Sequence, residues 1–149
     1  MSALSESFWN FCLRTWSDKA LSERLINASI TEHADVVLLL FSVWSKQQHH
    51  SFNLEGIQRI EELTATYRPL VEAYRSLRRQ SKSVVVDPLY QAQKHLELKA
   101  EQCYANELCG CISADRSSAL NFEAIVLTTQ ELALARHLTQ VIDSERLKP

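Results

Sequence analysis

Two glycines and three prolines in 149 residues leave few places for tight reversals of the chain. That scarcity argues against a many-stranded β fold and for long helices joined by short connections. Neither sign of charge dominates: 16 basic against 18 acidic residues give a net charge of -2, so no overall basic excess points to nucleic acid. No apolar run approaches the roughly 20 residues that cross a bilayer, and no membrane role is expected. The start, Ser2-Ala3-Leu4-Ser5-Glu6, lacks the basic-then-apolar pattern of a secretory signal. The 4 cysteines are then expected to be reduced thiols of a cytoplasmic protein. There is no Gly-rich phosphate loop, GxSxG elbow or HExxH motif, and no cofactor is expected. With no repeat or low-complexity tract, residues 1–149 read as a single helical domain.

What is present is organised around Ala34-Asp35-Val36-Val37-Leu38-Leu39-Leu40-Phe41-Ser42-Val43-Trp44. This run has no polar face at helical or strand spacing, so as a helix it needs neighbours on every side. The spacing predicts an all-α fold: a single compact bundle of about five to six helices around a central apolar helix over 31–46. Thr31 and Glu32 would open that helix, with Asp35 in its first turn, and residues 46–50 would close it. Before it, residues 6–16 form an amphipathic helix capped by Ser5, with Phe8, Trp9, Cys12, Leu13 and Trp16 on one face. Ser17-Asp18 caps a short helix with Ala20, Leu21, Leu25 and Ala28 inward.

After the central helix, Asn53 caps a long helix with a stripe at Ile57, Ile60, Thr64, Tyr67, Val71 and Tyr74, widened by Leu63, Leu70 and Leu77. Pro69 lies inside it, where a lost hydrogen bond and a clash cost about 3 kcal/mol, so a kink or break is expected over 65–68. Residues 83–86 read as an extended linker. Asp87-Pro88 then starts a helix over 88–109 with Leu89, Ala92, Leu96, Cys103 and Leu108 inward, stopped by Gly110. Residues 113–118 read as loop. A last helix over 121–143 buries Phe122, Ile125, Val126, Leu132, Leu138 and Val141.

Three segments occur in a characteristic order: Phe8-Trp9-Asn10-Phe11, then residues 35–41 with Trp44, then Tyr74-Arg75-Ser76-Leu77-Arg78-Arg79 with Lys82. Over residues 8–82 the chain resembles a proteobacterial family catalogued as domain of unknown function 2390; helices 88–109 and 121–143 are less distinctive. The family pattern has Asn at the third position of the central run, where this chain has Val37, so any ligand role of that Asn lacks its side chain here. It also has Pro where this chain has Ala73. The resemblance implies a cytoplasmic helical protein and brings no established activity.

Three groups of residues are candidates for chemistry. Arg68, Arg75, Arg79 and Lys82 share a helical face, with Arg78 to one side. They form either an anion or partner-binding stripe or a solvated face partly neutralised by Glu97 and Glu101. Asp35, at the head of an apolar helix, either pairs with Arg75 or Arg78 or acts as a general base in a pocket lined by Trp9 and Trp44. Cys103, Cys109 and Cys111 with His95 (or His137) invite a metal reading, but C-x5-C-x-C matches no common zinc spacing. A thiol on an apolar face is otherwise a small hydrophobe.

The preferred function is a non-catalytic interaction or regulatory protein with another protein as partner, showing no deep polar pocket and a large exposed apolar or charged patch. The first alternative is an anion or RNA-binding module on helix 68–82. The second is a small helical enzyme with a pocket at Asp35.

Overall fold

A computed structural model describes residues 2–114 and 120–146. Among them the chain forms α1 (Ala3–Ser17), α2 (Lys19–Thr31), α3 (Val36–Gln47), α4 (Leu54–Ser81), α5 (Asp87–Cys109), α6 (Phe122–Val126) and α7 (Thr129–Arg146). No strand occurs among the described residues; an isolated antiparallel bridge joins Ser51 to Ser113. The all-α bundle expected from the sparse turn residues is the one that forms. No helix among the described residues is long and apolar enough to cross a membrane.

Every residue from Val36 to Ser45 is buried, as a helix without a polar face requires. Phe41 lies at the centre of an aromatic cluster, with ring centroids 5.3 Å from Phe8, 5.8 Å from Phe52 and 5.8 Å from Phe122. The central helix starts later than the sequence suggests. Thr31 ends α2, His33 takes a positive φ of 53°, and Asp35 is the N-cap of α3, not part of its first turn. Its side chain accepts the Leu38 N–H at 3.1 Å. Four residues, 32–35, are enough to turn α2 into α3.

In α1 the cap is Ser2, whose hydroxyl accepts the Ser5 N–H at 3.1 Å, while Ser5 is buried and donates to Asn106 Oδ1 at 2.6 Å. The inward stripe is Ser5, Phe8, Phe11, Cys12 and Thr15; Trp16 and Leu13 stay 45% and 52% exposed. Asp18 and Asn53 cap α2 and α4 as expected. Helix α4 stays helical through Pro69, with no break at 65–68. Pro69 and Ala65 are both exposed, so the carbonyl that loses its partner can take water instead.

A tight turn, not an extended linker, joins α4 to α5. Val84 and Val85 N–H groups donate back to the Ser81 carbonyl at 3.0 and 3.1 Å, and Ser83 takes a φ of 68°. Val86 caps α5, and Asp87 is its first residue. The inward face of α5 is Glu97, Ala100, Tyr104, Ala105, Leu108 and Cys109. Of the residues expected inward, only Leu108 is; Leu89, Ala92, Leu96 and Cys103 are exposed. Along the same hairpin Leu70 and Leu77 of α4 are 39% and 50% exposed.

The last expected helix is two. Leu127 closes α6, and Thr128 opens α7 through a reciprocal cap: its hydroxyl accepts the Glu131 N–H at 3.1 Å and its own N–H donates to Glu131 Oε1 at 3.0 Å. Ile125 is exposed; Leu138 is fully buried. Of the loop expected over 113–118, residues 115–118 lie outside the described residues.

Gly56, in the first turn of α4, lets the chain after α5 come close. A Cβ there would sit 2.5 Å from the backbone oxygen of Cys111. Gly56→Ala is therefore expected to lower stability by about 1–3 kcal/mol despite alanine's better helix propensity, read as an earlier midpoint in urea. An unchanged or later midpoint would contradict that packing.

Candidate functional site

Two polar groupings are built into this bundle. The first lies where the N-termini of α3 and α7 meet. Asp35 Oδ1 caps α3, and its Oδ2 accepts the Tyr104 hydroxyl at 2.7 Å. The backbone N–H of Asp35 donates to Glu131 Oε2 at 2.6 Å. Arg68 donates through Nη2 to both Glu131 oxygens at 3.1 Å and brings Nε to 3.6 Å from Asp35 Oδ2. Thr64 Oγ1 lies 3.1 Å from the Tyr104 oxygen, and the Tyr104 ring stacks on Tyr67 at 5.0 Å.

Two carboxylates thus face one guanidinium, and two helix N-termini supply the balance of positive potential. Burial raises the Asp35 carboxyl; the Tyr104 hydroxyl, the Leu38 N–H and Arg68 oppose it. The Tyr104 hydroxyl is raised too, by burial and by Asp35. Burial alone would lower Arg68, but Asp35 and Glu131 outweigh it and the guanidinium is raised. The cavity beside Asp35, bordered by Ser29, His33, Arg68 and Arg75, measures about 20 Å³, room for about one water molecule. Here the chemistry holds helices together.

The sequence places Asp35 with Arg75 or Arg78; the structure pairs it with Arg68. Arg75 and Arg78 go to Glu97 instead, Arg75 Nε at 3.2 Å from Oε1 and Arg78 Nε on Oε2. Arg79 Nη2 reaches Ser29 Oγ at 3.4 Å, and Lys82 is the exposed C-cap of α4. Trp9 and Trp44 do not share a pocket with Asp35: Trp44 is buried against Phe8 and Phe41. Cys109 and Cys111 are buried while Cys103 and His95 are exposed. No group of three or more His, Cys, Asp or Glu side chains among the described residues is placed to hold a metal ion. Burial pushes the Cys109 and Cys111 thiols up to about 11, which keeps them protonated and unreactive.

The second grouping borders a cleft of about 580 Å³ between α1 and α5. Trp9, Leu13 and Trp16 form the α1 wall, and Val36, Val37 and Leu40 of α3 lie at its base. The α5 wall carries Tyr90, Lys94, His95, Glu97 and Glu101, with Arg78 reaching in from α4. Glu101 is half-buried, and desolvation pushes its carboxyl up to about 7, against the pull of Arg75 and Arg78 and with a push from Glu97. A cleft with apolar walls and a few convergent polar groups has the size and make-up of a small-molecule site.

Sequence reasoning missed this cleft because Trp9, Leu13 and Trp16 look like core. One signal was present: Tyr90, Glu97, Glu101, Tyr104 and Leu108 recur at helical spacing along α5, a face mixing acids with aromatics that an ordinary exposed face does not show.

No curated protein and no solved structure matches the chain. A family described as "Protein of unknown function (DUF2390)" matches residues 7–108, a span holding both walls of the cleft together with Asp35, Arg68 and Tyr104. The match covers more than half of the chain, which therefore belongs to the DUF2390 family.

Proposed function

We propose that the protein is a non-catalytic interaction or regulatory protein that binds a small ligand in the α1–α5 cleft and acts on another protein. The cleft itself carries this reading: its volume of about 580 Å³ suits a drug-sized body, and two half-exposed side chains, Leu13 and Trp16, lie at its wall in place of core contacts. The walls of the cleft are mainly apolar; the sequence expectation concerned a deep polar pocket. A non-catalytic role is favoured because the three most buried acids, Asp35, Glu97 and Glu131, spend their oxygens on other tasks. Asp35 and Glu131 cap helices, and Glu97 holds two arginines. A cytoplasmic setting is supported by the four free cysteines, which fit a reducing compartment.

The test is a titration with the uncharged fluorescent probe N-phenyl-1-naphthylamine. Saturable binding of one probe per chain is expected, with quenching of tryptophan emission. Leu13→Asp places a charge on the apolar wall at an exposed position and is expected to weaken binding at least about tenfold with the fold intact by circular dichroism. Unsaturable binding, or binding indifferent to Leu13→Asp, overturns the reading.

A further inference from the structure

We propose that the occupant of the cleft is an amphipathic organic anion, a flat apolar body lying against Trp9, Leu13 and Trp16 with one oxyanion directed at Arg78 and Lys94. This rests on the cleft being the ligand site and adds the class of ligand.

The donor balance at the charged end points that way. A guanidinium has five N–H donors in a fixed fork. Arg78 commits Nε to Glu97, but its Nη1 and Nη2 make only 3.5 Å contacts, to the Tyr90 hydroxyl and to Glu97 Oε1. Donor capacity therefore remains on a guanidinium that borders the cleft. Lys94 stands beside it with Nζ 5.8 Å from the Tyr90 ring centroid, and its three donors face no carboxylate among the described contacts. The acceptors, by contrast, are already taken. Both Glu97 oxygens are covered by Arg75 and Arg78, and the residue is 7% exposed.

Glu101 is the exception, and it favours an anion as well. No hydrogen bond among the described residues reaches its carboxyl group, which lies half-buried at the cleft. The charged groups facing it are Arg75 and Arg78 of α4, Glu97 of α5 and, farther off, Asp35; the Cys12 thiol faces it from α1. Held up to about 7, this carboxyl is readily protonated near neutral pH. It then withdraws one negative charge and offers an O–H donor. With Glu101 neutral, Arg75, Arg78 and Lys94 outnumber Glu97, and an oxyanion meets a net positive, donor-rich end. A cationic ligand would have to ionise Glu101 and sit beside Arg78 and Lys94.

The test compares 8-anilinonaphthalene-1-sulfonate with N-phenyl-1-naphthylamine, which has the same hydrocarbon body without the sulfonate. At pH 6 the sulfonate is expected to bind about tenfold more tightly, the scale of one charge-assisted contact. Its affinity is expected to fall about tenfold between pH 6 and pH 8 as Glu101 loses its proton; the sulfonate itself keeps its charge throughout. Glu101→Gln should bind the sulfonate with little dependence on pH, whereas a slope that survives this change belongs to His95 or another group and overturns the role of Glu101. Arg78→Gln should erase the advantage of the sulfonate. Lys94→Gln, at an exposed position, should reduce it several-fold and gives the answer if Arg78→Gln does not fold. Equal binding of the two probes at pH 6 overturns the anion assignment and leaves the cleft as a ligand site. Binding of neither overturns the cleft itself.

Discussion

Glu131→Ala is expected to lower the unfolding free energy by about 3–5 kcal/mol, the cost of breaking a buried ion pair by removing one partner. Glu131 is 1% exposed and does three things with two oxygens. It accepts the Thr128 N–H and so completes the cap of α7, accepts the Asp35 N–H next to the cap of α3, and takes the Arg68 guanidinium. Without it, Arg68 is left with only the 3.6 Å contact to Asp35, and two backbone donors lose their acceptor. Each such orphan costs about 1–3 kcal/mol where water cannot reach it. Urea denaturation measures the loss. Glu131→Gln keeps an amide oxygen for the backbone donors and is expected to cost less, the difference being the charge. A loss below about 1 kcal/mol for Glu131→Ala would mean that α7 is not anchored there.

The second large effect lies at the centre of the bundle. Phe41→Ala is expected to cost about 3–5 kcal/mol, because removal of a buried ring forfeits its transfer free energy and leaves a cavity that rigid neighbours fill only in part. Phe8, Phe52, Phe122 and Trp44 all touch that ring, and they come from α1, the loop before α4, α6 and α3 itself, so one substitution loosens four segments. Leu13→Ala, at a 52% exposed leucine, is the internal control and is expected to change stability by about 0.5 kcal/mol or less. Native stabilities are about 5–15 kcal/mol, so the core variant is expected to lose a large share and to melt at a visibly lower temperature. Equal midpoints for the two variants would show that the core does not centre on Phe41.

Where sequence reading succeeded, the cause of the structure was local. Asp18, Asn53 and Gly110 act within a turn of their own position, and a cap or a stop is decided by the nearest few residues. The central run is a special case of the same rule. Its ten residues from Val36 to Ser45 have no polar face to offer to water, so burial on all sides follows from the run alone. Where reading failed, the cause was distant. Helix α5 carries leucines on one face and Glu97 with Tyr104 on another, and hydrophobicity alone selects the leucines. The glutamate goes inward because Arg75 and Arg78, about twenty positions earlier, arrive beside it and neutralise it; the leucines at 89 and 96 then stay half outside.

The cleft shows the same division. Trp9, Leu13 and Trp16 have the spacing of a core stripe, and nothing within α1 says that only its neighbouring face, through Phe8, Phe11 and Cys12, meets the bundle. That choice is made by how α1 lies against α3 and α5. The pairing of Asp35 with Arg68, and not with Arg75 or Arg78, was open for the same reason: three arginines on one helix compete for a single carboxylate, and the rotation of α4 decides among them.

By itself the sequence determined an all-helical protein, the identity of its innermost helix and several helix ends, because these depend on side-chain character and on contacts a few residues apart. The tertiary structure alone decided which acids are buried, which arginine meets which acid and where an open cleft remains. Those outcomes depend on ångström-scale distances between helices, and charge burial is tolerated only where a partner arrives within hydrogen-bond reach.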